Sequence, residues 1–457
     1  MSEFTSLLKK QKTFFESGAT LDISFRKARL SELYRAIKAA EGEIQKALAA
    51  DLQKPVFESW ATETGMVLSE IRHQVRNARR WSRPEWKPTN LINLPGSSRI
   101  LRRPYGSSLI ISAWNYPFQL LFMPLAGALA AGNTAVLKPS EHAPAVAELT
   151  ASLIRKTFSE EYVAVVNGDA ATSKGLVEEA FDFIFFTGSI RVGKLVMEAA
   201  AKNLTPLCLE LGGKNPCIVD QTANIDLAAR RICWGKFINA GQTCVAPDHV
   251  YVHESVKEAL QQRMGEYIEK FYGRNPLESR DYMPMVNEAA FNRLEAMLHE
   301  GTVVTGGAVN REQRRISPTL ITGLPAHSLA MNEEIFGPVL PVIGYTSEEE
   351  LFRMLREHPK PLALYVFSRN RRFRNRIIRE IPSGGCAVNE TVMQMTNPSL
   401  PFGGVQYSGL GAYHGKHSFE VFSHKKSVLI KPPVFDIPLR YPPYEDWKEQ
   451  WIRRLMK

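Results

Sequence analysis

Apolar residues in the first 80 positions recur at three- and four-residue steps, the spacing of helices. Leu30, Leu33, Tyr34, Ile37, Ile44 and Leu48 make one such stripe, which predicts a single apolar face on an exposed helix. From about Trp86 to Arg103 the pattern lapses into Pro, Asn, Ser and Gly and ends in the strand-like SSRILRR, an arm or hairpin rather than core. Beyond Leu109 short, unbroken apolar runs take over: LIIS at 109–112, TAVL at 134–137, YVAVV at 162–166, FDFIFF at 181–186 and PCIVD at 216–220. Helices are expected between the first four, around 118–131, 141–158 and 172–180, and another from about Arg191 to Lys202. Buried strands alternating with helices predict a parallel sheet covered on both faces, and in such sheets ligands bind beyond the carboxyl ends of the strands.

A second α/β stretch runs from near Asn224 to about Asn389. Within it SRNRRFRNRIIRE carries six arginines, read as a solvated helix face because no aromatic platform or nucleic-acid motif accompanies it. After Pro398 the chain is glycine-rich, and FSHKKSVLIKPP at 422–433 reads as a late edge strand. The 34 residues from Pro104 to Leu137 carry no charge. A bilayer span needs ~20 mainly apolar residues. Serines, asparagines, a glutamine and two prolines interrupt this run, so it reads as a buried strand, loop and helix, with no transmembrane anchor expected.

Composition narrows the picture little. The 457 residues suit two to four domains at roughly 100–200 residues each. With 44% hydrophobic and 23% charged residues, disorder, collagen and coiled coil are excluded. The net charge of +10 is too dilute to mark a nucleic-acid binder and suits an anionic ligand as well. Five cysteines, at 208, 217, 233, 244 and 386, show no CxxC spacing, so neither a disulfide framework nor a metal site is indicated. A reducing, cytoplasmic setting is expected, since MSEFTSLLKKQKTFFESG also lacks the apolar core of a signal peptide.

Four short blocks carry candidate chemistry. In NAGQTC a polar, glycine-containing turn presents Cys244, a nucleophile if its surroundings lower a thiol pKa of about 8.5; a lone cysteine is otherwise a small buried hydrophobe. In LCLELGGK, Glu210 ends an apolar run before two glycines, where a cleft could raise its pKa to that of a general base. Thr187, Gly188, Ser189 and Gly193 of FTGSIRVG close one strand and open a helix, a place for a diphosphate against backbone amides; the spacing is GxxxxG rather than GxGxxG. In AWNYP, Asn115 offers an uncharged amide suited to an oxyanion, or serves as an ordinary turn asparagine.

AWNYPF, LKPSE, FTGSIRVG, LELGGKNP, NAGQTC, EEIFGPV and PFGGVQYSGLG stand in the order found in NAD(P)-dependent aldehyde dehydrogenases, and the chain resembles that family over nearly its whole length. The short N-terminus and GAYHGKHSFEVFSH resemble the class 3 branch, which takes fatty and aromatic aldehydes. The resemblance implies an α/β aldehyde dehydrogenase fold: a Rossmann-like cofactor domain (1–85 and 104–209), an α/β catalytic domain (210–405), a bridging β arm (86–103 and 420–435) and a tail (436–457). It implies that Cys244 attacks the aldehyde, that Asn115 and the Cys244 amide hold the oxyanion, and that Glu210 activates water to hydrolyse the thioester. Lys138 and Glu141 would reach the adenosine ribose, Glu334 and Phe336 the nicotinamide riboside, and Thr187, Gly188, Ser189 and Gly193 the diphosphate. Tyr116 and Phe402 would line the aldehyde pocket. Glu141 would repel a 2′-phosphate, so NAD is expected ahead of NADP. The chain departs from the family at Gln406-Tyr407, where relatives usually carry glycine near the aldehyde entrance. The expected activity is oxidation of a medium- or long-chain aliphatic or aromatic aldehyde to its acid by a homodimer. The alternatives are acyl transfer to coenzyme A, or a non-catalytic binding protein of the same fold.

Overall fold

In the computed structural model, which describes residues 3–434 and 436–456, the N-terminal region is helical as its periodicity requires. Met1, Ser2, Phe435 and Lys457, at the ends of the expected units, lie outside the described residues. The stripe predicted as one exposed helix is two helices, Ile23–Ala39 and Glu41–Leu52, broken at Ala40 (φ −90°, ψ 9°). Glu41 and Glu43 start the second helix, where carboxylates suit the positive end of the dipole. The apolar phase continues across the break from Ile37 to Ile44, so periodicity alone could not reveal it. Leu30, Leu33, Ile37, Ile44 and Leu48 are core residues.

A six-stranded sheet follows, ordered Gly409–Leu410, Leu207–Glu210, Phe183–Thr187, Ser107–Ile111, Thr134–Lys138, Val163–Val165. The last five are parallel and, numbered along the chain, run 5-4-1-2-3, so the order reverses between Ser107–Ile111 and Phe183–Thr187. A crevice opens at such a reversal, outside the strand ends. The uncharged run becomes the Ser107–Ile111 strand, the loop after it, the fully buried helix Gln119–Ala131 and the Thr134–Lys138 strand. Gly409–Leu410 returns from far down the chain to pair antiparallel with Leu207–Glu210, placing Gly409 opposite Glu210.

PCIVD, grouped above with the first sheet, belongs to the second. Pro216–Val219 pairs with His249–His253 on one side and Ala363–Phe367 on the other. The chain leaves the first sheet after Glu210 and crosses through Gly212-Gly213, an irregular segment whose effect on sheet membership no apolar pattern records. The second sheet is seven-stranded and parallel except at its Thr302–Thr305 edge. Ser97–Pro104 pairs with Ser423–Ile430 over eight residues and with Glu85–Lys87, forming the three-stranded arm. The arginine-rich segment is the helix Arg371–Glu380, which buries Phe373 and Ile377 and pairs Arg376 with Glu348 and Glu380. The tail forms the helix Asp446–Leu455, with Trp447 and Trp451 half exposed. Among the described residues no helix is long and apolar enough to cross a membrane.

Candidate active site

The crevice between the two sheets holds a cavity of about 270 Å³. Eight of the residues singled out in the sequence border it together: Asn115, Thr187, Gly188, Ser189, Glu210, Cys244, Glu334 and Phe336. They come from distant parts of the chain, delivered by the ends of parallel strands, the crossover and two loops of the second unit.

Cys244 follows a turn in which Asn239, Ala240 and Gly241 are all left-handed (φ 54°, 52° and 76°). For alanine this conformation costs roughly 1–2 kcal/mol. The surroundings hold it in place. The Asn239 side chain donates to the carbonyls of Asn115 (3.1 Å) and Gln242 (3.0 Å), and its backbone N–H to Glu58 Oε2 (3.1 Å). Asn215 Nδ2 donates to the Cys244 carbonyl at 2.7 Å. A side chain on Gly241 would collide with the Gly337 carbonyl, 2.3 Å from the Cβ position. Burial, with Glu334 and Glu210 nearby, pushes the Cys244 thiol up to about 12, while the amides of Cys244 and Val245 pull the other way. The environment therefore raises the thiol pKa where a standing thiolate would need it lowered, and ionisation requires a proton acceptor in the cavity.

Glu210 borders the same cavity. It is buried at the end of its strand, its carbonyl takes the Gly188 N–H (3.0 Å), and burial holds its carboxyl well above the usual range. Oε1 faces Cys208 Sγ at 3.9 Å; Oε2 is buried without a partner. Asn115 donates one amide hydrogen to the Gln242 carbonyl (3.1 Å), which leaves the other for a ligand beside Cys244.

Glu334 Oε1 accepts from the Gly213 N–H at 3.1 Å, and burial raises its carboxyl to about 7. A Cβ at Gly212 would sit 2.0 Å from Glu334 Oε2, so a side chain there would displace the Glu334 carboxyl. Three residues that sequence reasoning passed over hold this segment. Lys214 Nζ binds Asp248 (2.5 Å) and the carbonyls of Ala330 and Glu333, Asp248 accepts from the Ile335 N–H, and Arg293 donates to the carbonyls of Glu334 and Ile335. Lys214 lies inside a recognised block, whereas Arg293 is a single arginine on Glu288–Met297 with no local signal.

The remaining expected residues lie apart from this cavity. Lys138 ends the neighbouring strand, its Nζ bonded to the Pro139 carbonyl (2.7 Å) and 3.5 Å from Glu141. Gly193 packs against Leu211 on the inner face of its helix. Tyr116 is buried with its hydroxyl 2.6 Å from that of Thr243. Phe402 stacks on His414 and borders a separate cavity of about 190 Å³ with Met395 and Leu400. Gln406 and Tyr407 border another cavity, with Ile190, Met197 and Leu209 beside the first sheet, and Lys194 lies over the Tyr407 ring.

A dinucleotide matches these donors. Thr187 Oγ1 borders the cavity, buried and without a partner, the Ile190–Lys202 helix opens at Ser189, and Glu334 offers a carboxyl to ribose hydroxyls. Among the described residues no group of three or more His, Cys, Asp or Glu side chains is arranged to hold a metal ion.

Known proteins resemble this chain over nearly its whole length. The model described as the aldehyde dehydrogenase family matches residues 2–428. The 4,4'-diaponeurosporen-aldehyde dehydrogenase of Staphylococcus aureus is 46% identical over 98% of this chain and 97% of its own. Aldehyde dehydrogenase family 3 member A2 of Mus musculus is 41% identical over 96% and 91%. A solved structure described as the substrate-bound state of Staphylococcus aureus AldH superposes with a TM-score of 0.97 at 44% identity, covering all of both chains.

Proposed function

Since the chain belongs to the aldehyde dehydrogenase family, whose members oxidise aldehydes to carboxylic acids with NAD(P), we propose that Cys244 is the nucleophile, Asn115 the oxyanion amide and Glu210 the base of that reaction. The observation that carries this reading is the meeting of all three in one cavity with Thr187, Glu334 and Phe336.

Cys244 loses its thiol proton to solvent through cavity water, and Sγ adds to the carbonyl carbon to give a thiohemiacetal. The free Asn115 hydrogen and the Cys244 N–H stabilise its oxygen without protonating it. Thr187, Gly188, Ser189, Gly193, Lys138, Glu141, Glu334 and Phe336 would hold NAD(P), which when bound would supply the hydride acceptor. Once the thiohemiacetal carbon has lost its hydride and its oxygen has re-formed a carbonyl, Glu210 removes a proton from water as that water attacks the resulting thioester; the C–S bond breaks, the acid is released and the Glu210 proton returns to Cys244. A glutamate in that position favours hydrolysis over transfer to coenzyme A. Glu141, 3.5 Å from Lys138 at the ribose end, favours NAD over NADP.

In this reading the first sheet binds the cofactor, the second carries catalysis and the arm bridges two subunits. Tyr116 and Phe402 border the path of an aliphatic or aromatic aldehyde. A homodimer is supported by exposed Leu195, Met197 and Leu410 beside the first sheet, and a cytoplasmic setting by five free cysteines.

Rapid mixing with aldehyde and NAD tests the roles. Cys244→Ser should give no NADH. Glu210→Gln should give one rapid equivalent and then turnover slowed ~100-fold or more. Loss of the rapid phase in Glu210→Gln would move Glu210 to thiol activation alone, and unimpaired turnover would remove it from the mechanism.

A further inference from the structure

Behind the oxyanion loop lies an ion pair that the mechanism above does not use. The side chains of Lys54 and Glu63 are completely buried, with Nζ 2.6 Å from Oε1. Two buried charges are a poor source of stability, because the cost of taking them out of water is comparable to their attraction. Their partners indicate what else they do. Lys54 Nζ also donates to the Asn115 carbonyl at 3.1 Å and sits 4.2 Å from the centre of the Tyr116 ring. Glu63 Oε2 accepts from the N–H groups of Phe118 (3.1 Å) and Gln119 (2.8 Å), the entry to the helix that ends the loop. The backbone around Glu63 is locally widened into a π-helical turn, Trp60–Thr64, between two α-helical segments, a distortion frequent at functional sites.

The pair thus holds the loop at its middle and at its exit. Pro117 has no N–H, and the Asn115 carbonyl is left to two donors, Lys54 Nζ and Asn239 Nδ2. The Tyr116 hydroxyl continues the chain of contacts to Thr243, next to Cys244. An oxyanion donor loses much of its worth when displaced by about 1 Å, and the loop from Ala113 to Pro117 has no regular secondary structure of its own to prevent that.

We propose that Lys54, anchored by Glu63, is a positioning residue that fixes the Asn115 amide at the oxyanion through its hydrogen bond to the Asn115 carbonyl. The inference rests on the proposed role of Asn115. It assigns to the pair no contact with aldehyde or cofactor.

The test is the paired variant Lys54→Met/Glu63→Gln, which removes both charges together and keeps an oxygen for the Phe118 and Gln119 amides. Expected is a ~10-fold or larger fall in kcat/KM for aldehyde, an unchanged Kd for NAD measured by fluorescence, and a larger primary isotope effect with 1-deuterated aldehyde. In an Asn115→Ala background the same pair of changes should cost no more than ~2-fold, since the donor it positions is gone. An unchanged kcat/KM in the paired variant overturns the proposal, and so does an equal loss with or without Asn115. If Asn115→Ala itself leaves kcat/KM intact, the oxyanion assignment fails first, and this inference with it. Should the paired variant not fold, Lys54→Arg keeps the charge but misplaces it: a raised isotope effect supports the positioning role, and a wild-type one overturns it.

Discussion

Glu58 offers a sharp test of the electrostatics around the turn before Cys244. Its Oε2 accepts the Asn239 N–H at 3.1 Å, and burial raises its carboxyl from 4.5 to about 7 despite nearby Lys54. The fold therefore prefers the neutral acid, whereas the unfolded chain releases this proton near pH ~4.3. The penalty on the folded state is small below about pH 4.5, grows through the window between the two values and is complete above about pH 7. Glu58→Gln removes it and keeps an oxygen for Asn239. A shift of 2.5 units corresponds to about 3 kcal/mol, reduced to about 2 kcal/mol because solvent reaches part of the side chain. For a chain of this length the entropy of unfolding is about 1 kcal/mol per degree, so the midpoint should rise about 2 °C at pH 8 and roughly a third of that at pH 5. Thermal unfolding of wild type and variant at the two pH values measures this. An equal gain at both would refute a carboxylate origin. A loss at pH 8 would mean that attraction to Lys54 outweighs burial.

Two further outcomes are expected. Gln406 holds φ 59°, a conformation glycine adopts without penalty, so Gln406→Gly should stabilise by about 0.5–1 kcal/mol after the entropy of a freer unfolded chain is subtracted; a lowered denaturation midpoint would show that Gln406 makes a compensating contact. Glu141→Gln should raise the kcat/KM ratio of NADP to NAD ~10-fold, about 1.4 kcal/mol, and an unchanged ratio would place the ribose away from Glu141.

Much of this molecule is legible in its sequence. Strand ends are where apolar runs stop, and Thr187, Glu210 and Lys138 all close such runs, so their arrival at the same edge of one sheet follows from parallel pairing. What stays hidden has physical causes. The break at Ala40 preserves the apolar phase on both sides. Membership of Pro216–Val219 in the second sheet depends on partners up to about 150 residues away, and a fully buried strand looks alike in either sheet. Lys54 and Glu63 lie in a mainly helical region, where charged residues read as solvent-facing. Only contact with Asn115, 61 positions beyond Lys54, reveals otherwise.

The late strand at Gly409–Leu410 bears on how the enzyme comes into being. It caps the edge of the sheet on which Glu210 sits, and the Leu211 N–H is held by the Ser408 carbonyl at 3.1 Å. Translation at roughly 5–20 residues per second leaves Glu210 waiting on the order of 10–40 s for that neighbour. Until then Leu207–Glu210 is an uncovered edge, open to pairing with another nascent chain. The surroundings of Glu210, the proposed base, are therefore completed among the last events of synthesis, and a ribosome-bound chain ending before Ser408 has every residue of the cavity but not the strand beside Glu210.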